Sequence, residues 1–175
     1  MELVRFAVFE SSIGSLVLVS RNGRLIELDI REDDQYKIDK SLRVAYPEGV
    51  KSPESFQKIR SSLDKYLRGE RVDFSVDVDL SRLPDFTQKV LEAVRKIPYG
   101  DVRSYSWIGK KVGYSSAGRA VGQAVGRNPI PIIIPCHRVI QGDGSLGGFS
   151  MGLHVKKRLL SLEGTLEKIK TKSRG

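Results

Sequence analysis

The sequence predicts an α+β chain of two domains. The first is an N-terminal α/β domain with an antiparallel sheet over 1–83. The second, over 84–175, is a mostly helical domain with a winged-helix-like helix-turn-helix. Three observations predict this. Asn22-Gly23 lies between apolar runs, the strongest short-range hairpin signal, because both residues tolerate positive φ. The charge balance turns at Leu83-Pro84-Asp85. Beyond that point two short helical stretches meet at Gly113-Tyr114, the outline of two helices joined by a turn with glycine.

With 175 residues the chain can bury one large core or two small ones. No stretch approaches the apolar length of a membrane span. Met1-Glu2-Leu3-Val4-Arg5 lacks the basic-then-apolar layout of a signal peptide. The single cysteine cannot form an internal disulfide, so a reducing, cytoplasmic setting is expected. One cysteine and two histidines do not supply an ordinary zinc ligand set. The chemistry is therefore expected to need no metal and no cofactor.

Residues 1–85 hold 14 Lys and Arg against 16 Asp and Glu, whereas residues 86–175 hold 16 against 5. The formal net charge of +9 thus sits in the second half. A one-sided basic field is the footprint of a polyanion partner; a solvated basic face is the bland alternative.

Taken in order, Leu3–Phe9 is an apolar-rich strand, and Ser15–Val19 pairs with Leu25–Ile30 across the Asn-Gly turn. Residues 31–50 mix charges with Gly and Pro and read as a long connection. Ser52-Pro53-Glu54 opens a helix, with Ser52 as N-cap, proline in the first turn and an acid near the positive end of the dipole. Phe56, Ile59, Leu63, Tyr66 and Leu67 follow helical spacing, and Gly69 ends it. Val72 to Val78 alternates strictly, the pattern of a strand with one wet face. No reactive cluster appears in this half, which reads as a scaffold.

In the second half Phe86, Val90, Val94 and Ile97 share one helical face, stopped by Pro98-Tyr99-Gly100. Ser104 to Val112 is the next helix. Another runs from Ser115 or Ser116 as N-cap through Val125. On it Gly118, Ala120, Gly122 and Ala124 are small, which leaves Arg119 and Gln123 as long polar groups at i and i+4. Glycine inside a helix costs roughly 1 kcal/mol relative to alanine. Such a helix needs close approach of something bulky, either another helix or, given the basic field, a DNA backbone. The loop Gln141 to Ser150 is rich in glycine but lacks the phosphate-binding fingerprints. A last helix, Leu153 to Leu162, carries Lys156, Lys157 and Arg158 outward and ends at Glu163-Gly164. His154 reads as a surface residue, and the remaining tail as basic and frayed.

The chain's chemistry concentrates in Ile132-Ile133-Ile134-Pro135-Cys136-His137-Arg138-Val139-Ile140. An apolar run reads as a buried strand or extended segment. It delivers the only cysteine directly before a histidine, with Arg138 the single charge in the stretch. A lone cysteine is more often structural than reactive. The adjacent ring nitrogen raises the functional reading, because the thiolate is the nucleophile and needs a base or a cation to form. Pro131 and Pro135 restrict the backbone on either side.

Pro135-Cys136-His137-Arg138-Val139, preceded by Asn128-Pro129-Ile130-Pro131 and followed by the glycine loop and Leu162-Glu163-Gly164, resembles the O6-alkylguanine-DNA alkyltransferase (methylated-DNA–protein-cysteine methyltransferase) family. The similarity runs over residues 84–164, and the first half matches mainly in element order. The resemblance implies repair of O6-alkylguanine in double-stranded DNA, with O4-alkylthymine as a further substrate to test. The alkyl group would move irreversibly to Cys136, after the damaged nucleotide is flipped, on a monomer with no membrane or metal partner. It implies that Cys136 is the nucleophile and that His137 accepts its proton through a water. Glu163 would orient His137, Asn128 would hold the turn before the reactive segment, and Tyr105 would donate a proton to the departing guanine. It also implies DNA contacts from Arg119, Tyr105, Thr87, Ser106, Tyr114, Ala120 and Gly122. The pocket would be lined by Pro131, Val139, Phe149, Ser150 and Met151. Two departures stand out. Phe149 occupies a position where the family usually has tyrosine, and Met151 replaces a small residue, which implies a narrowed entrance. Against this reading stand a helix-turn-helix regulator, which leaves the Cys-His pair idle, a non-catalytic lesion-binding relative, which would lack the cysteine, and a cysteine hydrolase, which would turn over.

Overall fold

The computed structural model describes residues 1–173, with side chains to Ile169. The chain divides into two compact units, Met1–Leu80 and the part from Ser81 onward. No helix among the described residues is long and apolar enough to cross a membrane.

The first unit is built on β1 (Val4–Ser11), β2 (Gly14–Arg21) and β3 (Arg24–Arg31), with α1 (Gln35–Ala45), β4 (Val50–Lys51) and α2 (Gln57–Leu67) following. The sheet order is β3-β2-β1-β4. Both hairpins are antiparallel, and the predicted turn is present with Asn22 at φ 51° and Gly23 at φ 80°. The fourth strand corrects the all-antiparallel expectation, because β4 joins β1 in parallel at Arg5↔Val50 and Phe6↔Lys51. Phe6, Val17 and Val19 from the sheet meet Ile38 and Leu42 from α1 in a closed apolar cluster.

Three sequence expectations fail here. The predicted connection over 31–50 contains α1, capped by Asp34, whose carboxylate accepts the Lys37 amide at 2.9 Å. Its buried stripe is only two residues wide, too thin to stand out among charges. Ser52 does not cap a helix, since the chain first makes a 3-10 turn over Pro53–Phe56 and the hydroxyl bonds to Glu54 and to Ser55 instead. Val72 to Val78 keeps its alternation, with the apolar residues half-buried and Asp73, Ser75 and Asp77 exposed. Its bridge from Val78 to Leu25 is an isolated one, so it is extended chain and not a strand of the sheet.

The second unit comprises α3 (Asp85–Arg95), β5 (Arg103–Ser104), α4 (Tyr105–Lys111), α5 (Gly118–Gly126), β6 (Val139–Ile140), α6 (Leu153–Leu162) and α7 (Leu166–Ser173). Ser104 caps α4 by accepting the Trp107 amide at 3.1 Å. The next helix begins later than predicted, with Ala117 at its N-cap in place of a serine. Gly109 in α4 is required by the turn between the two helices, because a Cβ there would lie 2.8 Å from the Tyr114 carbonyl oxygen. The expected frayed tail is also corrected, because it forms α7 and buries Ile169 against Ile140 and Leu160. The last two residues of that tail lie outside the described residues.

The central apolar run is wholly buried from Ile130 to Ile140, but it is neither a continuous strand nor extended throughout, the two forms the pattern suggested. Ile132 sits at φ 72°, a region a β-branched residue seldom enters. Ile134 donates to the Ile130 carbonyl at 2.9 Å and Cys136 to that of Ile134 at 2.7 Å. Cys136–Arg138 is a single 3-10 turn. Only Val139 and Ile140 form a ladder, parallel to Arg103 and Ser104. That short ladder sets the start of α4 beside the cysteine turn.

Candidate active site

Cys136 is buried at the tip of its 3-10 turn and reaches a cleft of about 890 Å³. Three pieces of chain wall the cleft. The start of α4 contributes Tyr105 and Ser106. The face of α5 contributes Gly118, Arg119, Gly122, Gln123, Val125 and Gly126. The loop after β6 contributes Gln141, Gly142, Gly148, Phe149 and Ser150.

Burial pushes the Cys136 thiol up to about 11, while the Asn128 side chain and the Lys156 charge pull the other way. A thiol so placed stays protonated near neutrality and needs a base within reach. Asn128 fixes the approach to it. Its Nδ2 donates to the Ile134 carbonyl at 2.8 Å, and its Oδ1 accepts the Ile130 amide at 3.0 Å. Its backbone amide donates to the Val125 carbonyl at 3.1 Å, so backbone and side chain of one residue together join the end of α5 to the reactive turn.

His137 is fully buried, and its Nε2 lies 2.8 Å from Glu163 Oε1. Burial alone would raise the Glu163 carboxyl, but hydrogen bonds from His137 and Arg138 outweigh it and hold the group at about 2. An ionised carboxylate only accepts, so Nε2 carries the proton and Nδ1 the basic lone pair. Burial also lowers the His137 ring below its ordinary value, against the pull of Glu163. The resting site is then a neutral imidazole held in one tautomer by a glutamate anion.

Arg138, marked in the sequence as the isolated charge of the run and a member of its motif but given no role, completes this arrangement. Its Nη2 and Nε lie 2.7 and 2.9 Å from the two Glu163 oxygens, and its Nη1 donates to the Ile97 carbonyl at 2.6 Å. Its guanidinium stands 5.7 Å from the centre of the Tyr99 ring. Tyr105 opens α4 directly after β5 and is raised above its ordinary value by burial, with a smaller contribution from Cys136.

The remaining predicted residues divide. Arg119, Ser106, Gly122, Phe149 and Ser150 stand on the cleft with Cys136 and Tyr105. Pro131 and Val139 are buried, Met151 is half-buried, and none of the three is on the cleft's lining. Thr87 is buried on the inner face of α3. Tyr114 is exposed, edge-on to Phe86 at 5.3 Å, and Ala120 is exposed on α5 away from the cleft. Lys156, expected outward, is fully buried, which corrects that reading. Its one signal in the sequence is helical position, on the same face as Leu159 and Leu160, which does not separate a buried ammonium from a stem lying on apolar surface with its charge in solvent. Among the described residues no cluster of three or more His, Cys, Asp or Glu could hold a metal ion.

Two family models match the chain. The ribonuclease-like domain of 6-O-methylguanine DNA methyltransferase matches residues 4–80, and the DNA binding domain matches residues 85–165. A methylated-DNA–protein-cysteine methyltransferase of Mycobacterium tuberculosis is 37% identical over 161 residues, covering 92% of this chain and 93% of its own. One from Archaeoglobus fulgidus is 45% identical over 134 residues, covering 73% and 86%. The crystal structure of Mycobacterium tuberculosis OGT in complex with DNA superposes with a TM-score of 0.80 at 37% identity, over 93% of this chain and 94% of that one.

Proposed function

The chain belongs to the 6-O-methylguanine DNA methyltransferase family, the methylated-DNA–protein-cysteine methyltransferases, and on that premise we propose how its own residues take an alkyl group from O6 of guanine. A base stacked in a duplex cannot reach a thiol at the floor of a cleft. The nucleotide must be flipped out, at a cost of a few kcal/mol. The bare face of α5, with Gly118, Gly122 and Gly126, can lie close to the DNA backbone, and Arg119 beside them enters the space the nucleotide leaves.

With the base in the cleft, Cys136 attacks the alkyl carbon in line with the breaking bond to O6. The thiol proton passes through a water to His137 Nδ1, and the Glu163 anion steadies the imidazolium that forms. Tyr105 gives its phenolic proton to the guanine ring, so that the base departs neutral. Asn128 holds the Ile130–Ile134 turn so that the sulfur keeps its aim. The same reading places the reaction on double-stranded DNA, by a monomer, in a reducing compartment where a lone nucleophilic thiol survives. The alkyl range and activity on O4-alkylthymine belong to the same test.

The observation that carries this reading is the buried contact of 2.8 Å between His137 and Glu163 beside the only cysteine. Intact-mass measurement after mixing with an O6-methylguanine duplex tests it. Each protein should gain one methyl group, on Cys136, and stop, because a thioether is a poor leaving group. Cys136→Ala should bind the duplex without gaining mass. Repeated turnover, or label at another residue, would overturn the assignment.

A further inference from the structure

One buried charge has no part in the reaction as derived. Lys156 on α6 is 0% exposed, a condition lysine almost never meets unless its ammonium is compensated. Its Nζ donates to the carbonyls of Val139 at 2.7 Å, Gly148 at 3.2 Å and Leu146. Three donors meet three acceptors, which fills the capacity of the group.

Those carbonyls come from two separate pieces of chain. Val139 follows the Cys136–Arg138 turn directly, while Leu146 and Gly148 lie in the glycine loop. The loop backbone passes through positive φ at Gly144, Gly147 and Gly152. Its own backbone hydrogen bonds close its two ends, from Gln141 to Ser145 at 2.9 Å and from Gly152 to Phe149 at 3.0 Å. The middle, 146–148, is held by the Leu146 side chain against Ile140, Leu160 and Ile169, and by the Lys156 ammonium. Gly148 then leads into Phe149 and Ser150, the part of the loop that faces Cys136 across the cleft.

We propose that Lys156 is a positioning residue for alkyl transfer: its ammonium clasps the glycine loop to Val139 and so sets the distance of the Gly148–Ser150 wall from Cys136. The proposal rests on Cys136 being the alkyl acceptor. A wall misplaced by about 1 Å can cost a hundredfold in rate, because the substrate leaves its attack geometry. The clasp also has a protonation state. Burial brings Lys156 down to about 8, against the pull of Cys136. The neutral amine loses its charge and one of three donors. Among the other groups of the site, Glu163 and His137 titrate below this value and Cys136 and Tyr105 above it, and the remaining ionic neighbour is the Arg138 guanidinium paired with Glu163.

The test uses the full chain and reads two quantities. One is hydrogen exchange of the 141–152 amides, which needs no alkylation. The other is the alkylation rate with saturating O6-methylguanine duplex, divided by the rate of Cys136 with iodoacetamide. Both reactions need the thiolate, so the ratio removes its population and leaves the placement of the base. Lys156→Met fills similar volume without donors. It should speed exchange across the loop and lower the ratio roughly tenfold or more, with Lys156→Gln falling between. Unchanged exchange and an unchanged ratio in a folded Lys156→Met protein would overturn the proposal. Should that variant not fold, the ratio in the unmodified protein decides. It should fall as pH rises through about 8, and a flat profile would overturn the proposal. Failure of the unmodified protein to gain any methyl group would strike the acceptor reading, whereas the loop exchange stands apart from it.

Discussion

Glu163 is the residue on which most of the site converges, because it ends α6 yet holds both His137 and Arg138. Its carboxyl is held below the ordinary value of about 4.3. The interaction therefore contributes stability that is fully present above that ordinary value and is lost as pH falls through about 2. Glu163→Gln should make the acid limb of unfolding shallower and slow alkylation roughly a hundredfold, with duplex affinity near that of the unmodified protein. Arg138→Met separates the two roles, because it removes the ion pair but leaves the carboxylate facing His137. If both variants slow alkylation equally, Glu163 acts through packing and not through the imidazole. Much at this scale was legible, because Pro-Cys-His-Arg-Val and Leu-Glu-Gly are contiguous patterns. Lys156 and the pairing of Arg138 were not. A basic residue on a helix reads as solvent-facing until the chain that covers it is known, and here the cover is a glycine loop whose backbone oxygens carry no sequence signal.

At the scale of elements, sequence succeeds where a pattern has one cause and fails where it has two. Asn22-Gly23 fixed a hairpin because few conformations accept positive φ twice. The run Ile130 to Ile140 misled because total burial erases the period that distinguishes strand from turn. Val72 to Val78 showed true alternation, but alternation reports a wet and a dry side, not a hydrogen-bonded neighbour. For α5 the sequence weighs helix packing against DNA approach and leans to DNA through the basic field, and the structure bears on this. A Cβ at Gly118, Gly122 or Gly126 would meet nothing within 4 Å, so no internal contact requires these glycines. Gly122→Ala should therefore stabilise the protein by roughly 1 kcal/mol, seen as a rise in Tm, while weakening duplex binding. Arg119→Ala on the same face should lower the rate on duplex far more than on the free modified base, which needs no flipping. A Gly122→Ala protein with normal duplex affinity, or an Arg119→Ala protein with an unchanged rate ratio, would remove this helix from the DNA interface.

For the whole molecule the informative quantity is where the charge lies. Residues 86–175 hold 16 basic against 5 acidic side chains, and residues 1–85 hold 14 against 16. A duplex approaching the cleft meets the basic share first if the phosphates are the partner that this charge serves. Each phosphate neutralised releases condensed counterions, so log affinity should fall linearly with log salt, with a slope near −0.9 per contact. The free modified base carries no phosphates, and in the proposed mechanism its alkylation would call on Cys136, His137 and Tyr105 alone. The paired measurement is therefore duplex affinity and free-base alkylation rate over one salt series. Between roughly 50 and 200 mM the first should drop by at least about tenfold while the second stays level. Equal salt sensitivity would show that salt acts on the site or the fold. A duplex affinity indifferent to salt would show that the basic half does not face the phosphates at all.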